Sequence, residues 1–340
     1  MEKSVRQTPA VQIVADIHHA WITGLVLTLV ARKDAATAEE FVFQLFRRQH
    51  LQRFLPGLEK LGLTGEPDAV AAAKYHYFSN QLGGVKVEFL QESPRKAWIR
   101  YPPPRWIWQG AAICGIPSTV NRAMLRGWHA HNGVSLGNSR LGFVCTKTTV
   151  DGQPGLEGYY REFDTDIAPE QRLMFRPQES CPEISSADLP TLDAADWLVE
   201  RQAKAHRNYA MEYIRNALLL LVAMLGPEEA RYLGRLCALQ IGMHHYDQGA
   251  SALGITDDSA DSFLDFSAVL LGAAGDEVTL ERGYLVQTSW RMFGHDEVHP
   301  VVREIWLALF EGMLGVHNRF LQLNSEQTRD GFRIAITSTT

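Results

Sequence analysis

The chain has little cysteine. Cys114, Cys145, Cys181 and Cys237 are all that 340 residues contain, and none stands in a CxxC or other ligand-like spacing, which excludes a secreted disulfide framework and a zinc ribbon. A reducing, cytoplasmic setting is the expectation. An excess of basic residues is also missing: 33 Lys and Arg stand against 39 Asp and Glu, for a net charge of −6, and there is no basic tail. The charge footprint of a phosphate-neutralising protein is therefore absent, and no nucleic-acid partner is expected. The apolar runs Trp21 to Val30 and Leu218 to Leu225 fall short of the roughly 20 residues that cross a bilayer, so neither a membrane partner nor a signal peptide is expected. P-loop, strand-flanked GxGxxG and nucleophile-elbow patterns are missing too, which leaves NAD, FAD and ATP unsupported as cofactors.

What the sequence does contain is an internal repeat. Leu61-Gly62-Leu63-Thr64 recurs as Leu253-Gly254-Ile255-Thr256, and Trp98 recurs as Trp290, both at a shift of 192 positions (253 − 61, 290 − 98). Arg140-Leu141 leading to Asp151-Gly152 recurs as Arg319-Phe320 leading to Asp330-Gly331 at a shift of 179 (319 − 140). Each copy reads as helices of 3.6-residue apolar period, then an alternating hairpin bounded by glycine, a short helix, and a closing strand pair around Asp-Gly. The expected fold is α+β: two tandem related domains, each a helical layer on a small antiparallel sheet. The boundaries read as 1–165 for a first repeat carrying the pocket, 166–196 for a Pro-rich linker, and 197–340 for a second, degenerate repeat.

The first copy holds the chemically versatile surplus. In Trp128-His129-Ala130-His131-Asn132, an extended backbone would point both imidazoles to one side, the arrangement in which neighbouring strand positions supply two metal ligands or an acid and a base. The same residues also serve as a helix-end cation and a loop residue. A third ligand would come from Glu162, Asp164 or His76, so a metal held by histidines stays open without a defined site. Strand alternation puts Tyr160, Glu162 and Asp164 on one face, where a carboxylate beside a tyrosine suits general acid–base work. Arg105, Trp106 and Trp108 follow three prolines in a segment that the second copy lacks; two indoles and a guanidinium suit a planar carboxylate, or equally a buried wall. His244 and Asp247 share a helix face, and His295 and His299 flank a loop; neither pair carries a stronger signal.

The order of helices, hairpin, short helix and closing strands, with Thr149-Val150-Asp151-Gly152 closing the stretch 138–152 and Thr328-Arg329-Asp330-Gly331 standing inside the stretch 316–336, resembles the L-2-amino-thiazoline-4-carboxylic acid hydrolase-like family, itself reminiscent of 4-vinyl reductase domains. The resemblance implies an α+β small-molecule pocket and a ring-opening or hydrolytic enzyme. Where that family carries cysteine at the hairpin end, this chain has Trp98 and Trp290, so cysteine chemistry does not carry over. The functional expectation is a hydrolase or lyase acting on a small aromatic or heterocyclic acid. His129, His131, Glu162 and Tyr160 would supply the chemistry, and Trp106, Trp108, Arg105, Asn132 and His76 would hold the substrate. The alternatives are a non-catalytic small-molecule binding or sensing protein and a dimerisation scaffold, with a homodimer left open.

Overall fold

The computed structural model describes residues 2–103, 107–185, 189–191, 198–294, 296–328 and 331–338, with side chains from residue 9 onward, Val199 excepted. It mixes helices with two small, mainly antiparallel sheets, an α+β architecture. Contacts divide it into two compact units, residues 29–198 and residues 1–28 together with 199–340.

Helix α1 (Glu2–Arg32) runs through the boundary between these units. In the first of them, α2 (Ala35–Lys60) starts where Asp34 is extended and its carboxylate accepts the Thr37 amide at 2.6 Å, the N-cap bond that satisfies an otherwise orphaned helix-end donor. Helix α3 (Asp68–Leu82) follows, then the hairpin β1 (Glu88–Ser93) and β2 (Lys96–Tyr101). Helix α4 (Ser118–Gly127) lies on α2. Its last carbonyls accept from the Arg47 guanidinium, Nε to Gly127 O at 2.9 Å and Nη2 to Arg126 O at 3.1 Å, a cation at the negative end of a helix. A 3-10 turn (His129–His131), the short helix α5 (Asn132–Ser135), and strands β3 (Leu141–Lys147) and β4 (Leu156–Glu162) complete the unit.

The Pro-rich stretch contributes to the sheet. Residues 173–175 form β5 (Leu173–Phe175), parallel to β3 with Val144 opposite Met174, giving the order β1-β2-β4-β3-β5. Prolines at 169 and 177 flank this edge strand instead of interrupting it, which is where a sheet tolerates them. Strand alternation makes Trp98, Val144 and Tyr159 one apolar face, and Met174 and Cys181 pack against it. Tyr159 donates its hydroxyl to Glu179 at 2.7 Å.

In the other unit, α6 (Val199–Leu225), α7 (Pro227–Leu253) and α8 (Ala260–Ala274) precede the hairpin β6 (Val278–Glu281) and β7 (Tyr284–Gln287), then α9 (Pro300–His317), β8 (Leu321–Gln327) and β9 (Phe332–Ser338). The sheet order is β6-β7-β9-β8, the order of β1-β2-β4-β3. Helices α3 and α8 begin and end 192 positions apart (260 − 68, 274 − 82). The tryptophan match does not follow this pattern. Trp98 is inside β2, paired with Tyr159, whereas Trp290 lies beyond the end of β7, because β6 and β7 are four-residue strands and β1 and β2 six-residue ones. Gly152 turns the chain between β3 and β4 at φ +78°; Asp330 of the matching pair lies outside the described residues.

The apolar part of α1 extends past Trp21 to Val30. Residues 9–32 are long and apolar enough to cross a membrane, and 61% of their most apolar window is buried inside the protein. Ile22 and Leu25 have no exposed surface, and Gly24 allows Ile241 and Cys237 of α7 close to the helix backbone.

Candidate functional site

His76 sits in the middle of α3, facing the sheet, and is 3% exposed. Tyr101, the last residue of β2, has its hydroxyl 3.3 Å from His76 Nδ1, and Asn132 Nδ2 lies 3.3 Å from His76 Nε2. Since the amide donates to Nε2, the imidazole proton is on Nδ1 and points to the Tyr101 oxygen. One turn further along α3, Asn80 Nδ2 donates to the His76 carbonyl at 2.7 Å and to the Tyr101 hydroxyl at 3.4 Å. Three rings stand nearly parallel here. His129 lies over His76 with centroids 4.2 Å apart, and Tyr160 is 5.6 Å from His76 and 6.2 Å from His129. Phe143, opposite Tyr160 in the β3–β4 register, closes the stack 4.6 Å from His129.

The local chain explains why His129 is present and His131 is not. Arg47 pins the end of α4 to α2, and the chain then continues through a 3-10 turn and α5 instead of extending. Helical rise turns successive side chains by about 100° or more, so residues two apart diverge. His129 enters the stack. His131 instead meets His50 of α2 edge-on at 5.1 Å. The expectation that both imidazoles share one side is thereby corrected. His50 has its Nε2 2.8 Å from Ser135 Oγ and its ring 5.5 Å from Trp128, and Trp128 lies 6.0 Å from His76.

Other expected residues lie apart from this cluster. The Glu162 carboxylate is held by Arg140 at 2.5 Å and by Asn138 at 3.4 Å, and Asp164 pairs with Arg95 at 2.8 Å. Trp108 is buried, with Nε1 donating to Asn121 Oδ1 at 3.3 Å. Arg105, Trp106 and His295 lie outside the described residues. His299 caps α9 by accepting the Val301 amide. Among the described residues, no group of three or more His, Cys, Asp or Glu is arranged to hold a metal ion.

Burial determines the charge of these groups. Desolvation holds His76 well below the usual histidine range, aided by repulsion from His129, and takes His50 down to about 3. His131 falls to about 4 through desolvation and the nearby Arg47 and Arg172. Tyr160 is driven well above the ordinary phenol range by the same loss of water. Four polar atoms in and beside the stack have no hydrogen-bond partner among the described residues: Tyr160 Oη, Asn132 Oδ1, Trp128 Nε1 and His50 Nδ1. Asn80 stands four residues after His76 on one helix, a spacing that could have pointed to it; His50 and Tyr101 have no local signal. No protein-family model, no curated protein and no solved structure matches the chain.

Proposed function

We propose that the chain is a small-molecule-binding protein whose site in residues 29–198 is centred on His76 and takes a compact, uncharged, polar heteroaromatic molecule. One observation carries this: side chains in or beside the ring stack keep four buried polar atoms without partners. Each such atom costs about 1–3 kcal/mol, and a ligand with matching groups recovers that cost. Parallel rings supply the stacking surface. The neutral state of His76 and Tyr160 disfavours a charged ligand, which would lose its hydration without gaining a counter-ion.

The hydrolase or lyase reading is second. It is favoured by the contact between two imidazoles and a phenol. An efficient acid–base pair has pKa values near the working pH, whereas His76 is far below it and Tyr160 far above, and Glu162 is engaged by Arg140. We also infer that the chain is two related α+β modules in tandem. The shared strand order and the 192-residue offset of α3 and α8 support that reading.

The binding reading is tested by thermal melting of the full chain with nicotinamide and, as the charged counterpart, nicotinate. Saturating nicotinamide raises Tm, since about 100 Kd of ligand adds ~2.7 kcal/mol, and nicotinate does not. Tyr160→Phe removes a hydroxyl that has no partner, so the variant melts at the same temperature or higher while losing the nicotinamide shift; Asn132→Ala loses the shift too. If Tyr160→Phe lowers Tm, or neither compound moves the wild type, the proposal fails.

A further inference from the structure

Residues 1–28 with 199–340 contain a cavity that none of the expected site residues lines. It is walled by aliphatic and aromatic side chains of α1, α8 and α9 and encloses about 410 Å³ counting its open mouth, of which only a small part is wide enough for a water-sized body. Three methionines, Met211, Met292 and Met313, stand in the wall. Their unbranched thioethers are the side chains that most readily rearrange around an incoming ring. The polar lining residues are few. His18 and Asp276 are two of them, and Trp290 adds an indole N–H.

His18 is buried with Nδ1 2.6 Å from the Val14 carbonyl one turn earlier, so the ring proton is on Nδ1 and Nε2 is a bare acceptor. Neither His18 Nε2 nor Trp290 Nε1 has a hydrogen-bond partner among the described residues. One is an acceptor only and the other a donor only, and a hydroxyl answers both. Asp276 fixes the charge requirement. Gln287 Nε2 and the Arg291 amide donate to its two oxygens at 2.8 and 2.7 Å, which leaves a carboxylate guest facing a carboxyl group whose donors are already engaged. Arg207 and Arg291 already act on this carboxyl, so a cationic guest gains little.

We propose that this cavity binds a small, uncharged, hydroxyl-bearing aromatic molecule of the phenol class, whose hydroxyl donates to His18 Nε2 and accepts from Trp290 Nε1. The apolar wall takes the ring and the two orphaned atoms take the hydroxyl, the combination of apolar lining and few placed polar groups that small-molecule sites share. No residue is shared with the His76 cluster, so phenol binding here stands or falls separately from nicotinamide binding there.

The test is calorimetric titration of the full chain with phenol, with toluene as the same shape lacking the hydroxyl, and with benzoate. Phenol binds saturably, toluene binds about tenfold more weakly because two polar atoms stay unpaired, and benzoate does not bind. His18→Phe and Trp290→Phe keep an aromatic wall, and each lowers the phenol-to-toluene ratio to about threefold, since one of the two hydrogen bonds remains. Where one variant is too unstable to titrate, the other decides. Equal binding of phenol and toluene by the wild type, a ratio unchanged in the measurable variants, or no phenol binding at millimolar concentration overturns the proposal.

Discussion

Acidification from about pH 7 to pH 5 is expected to remove several kcal/mol of folding stability, with residues 29–198 opening first. His50 is held near pKa 3, His131 near 4, and His76 well below the usual value, all first through burial. Each is neutral in the folded protein, whereas the unfolded chain takes up a proton near the ordinary value of 6.5. The stability these groups contribute is therefore complete above about pH 6.5 and falls as the pH drops toward their folded values. Each fully buried histidine costs roughly 1.4 kcal/mol per pH unit in that window, so His50 removes about 2 kcal/mol by pH 5; His76 acts in the same direction, and half-exposed His131 adds less.

In the other unit His18 and His19, near 4 and 3 through burial, act in the same direction, as do His206 and His245. Asp276 opposes them. Burial raises its carboxyl to about 7, so below that value the folded state holds a proton that the unfolded chain lacks until about pH 4. Its contribution therefore grows as the pH falls from 7 and offsets one histidine. Hydrogen exchange read segment by segment at pH 7, 6 and 5 checks this: protection in α3 should decline before protection in α7. Stability that is flat or rising toward pH 5 would mean that these imidazoles are solvated.

The legibility of the sequence varied with the range of the interaction. Helix periodicity, glycine-bounded hairpins and the order of elements are local properties, and α3, α8, the first hairpin and the helices at 118–127 and 300–317 lie where periodicity and turn residues put them, while the second hairpin ends at Gln287, short of Trp290. Trp98 and Trp290 are not equivalent, because residue identity says nothing about register, and a hairpin with shorter strands carries Trp290 out of its sheet to meet Phe293 and Trp306 at a tilt and Phe332 edge-on. The site was half legible. His76, His129, Asn132 and Tyr160 do converge, but the route was wrong: extended alternation would have brought His131 in as well, and the helical turn that excludes it depends on Arg47, some 80 residues away in sequence. His18 could not be singled out, since a histidine in an apolar helix has no significance until Trp290 and Asp276 come to the same cavity.

Replacing Gly242 or Gly312 by Ala should destabilise residues 1–28 with 199–340 more than other single-methyl additions to these helices. Helices α7 and α9 make the most extensive helix–helix contact among the described residues, and glycines make the approach feasible. A Cβ on Gly242 would run into the Leu309 carbonyl of α9, and one on Gly312 into the Leu239 carbonyl of α7. Backbone atoms cannot rotate aside as a side chain does, so the helices must part along their whole contact, at a cost of about 3 kcal/mol or more. For a unit of this size that lowers Tm by roughly 10 °C. The internal control is Gly315, on the exposed side of α9, whose Cβ would meet nothing within 4 Å. There Ala relieves the backbone entropy of a helical glycine and should raise stability by about 0.5–1 kcal/mol. The same device recurs in the other unit, where a Cβ on Gly127 of α4 would press on the Phe43 carbonyl of α2, so Gly127→Ala should also lower Tm and displace the turn that delivers His129. Calorimetric melting of the four variants separates the outcomes: if Gly242→Ala and Gly312→Ala melt no lower than Gly315→Ala, the helices do not cross in backbone contact.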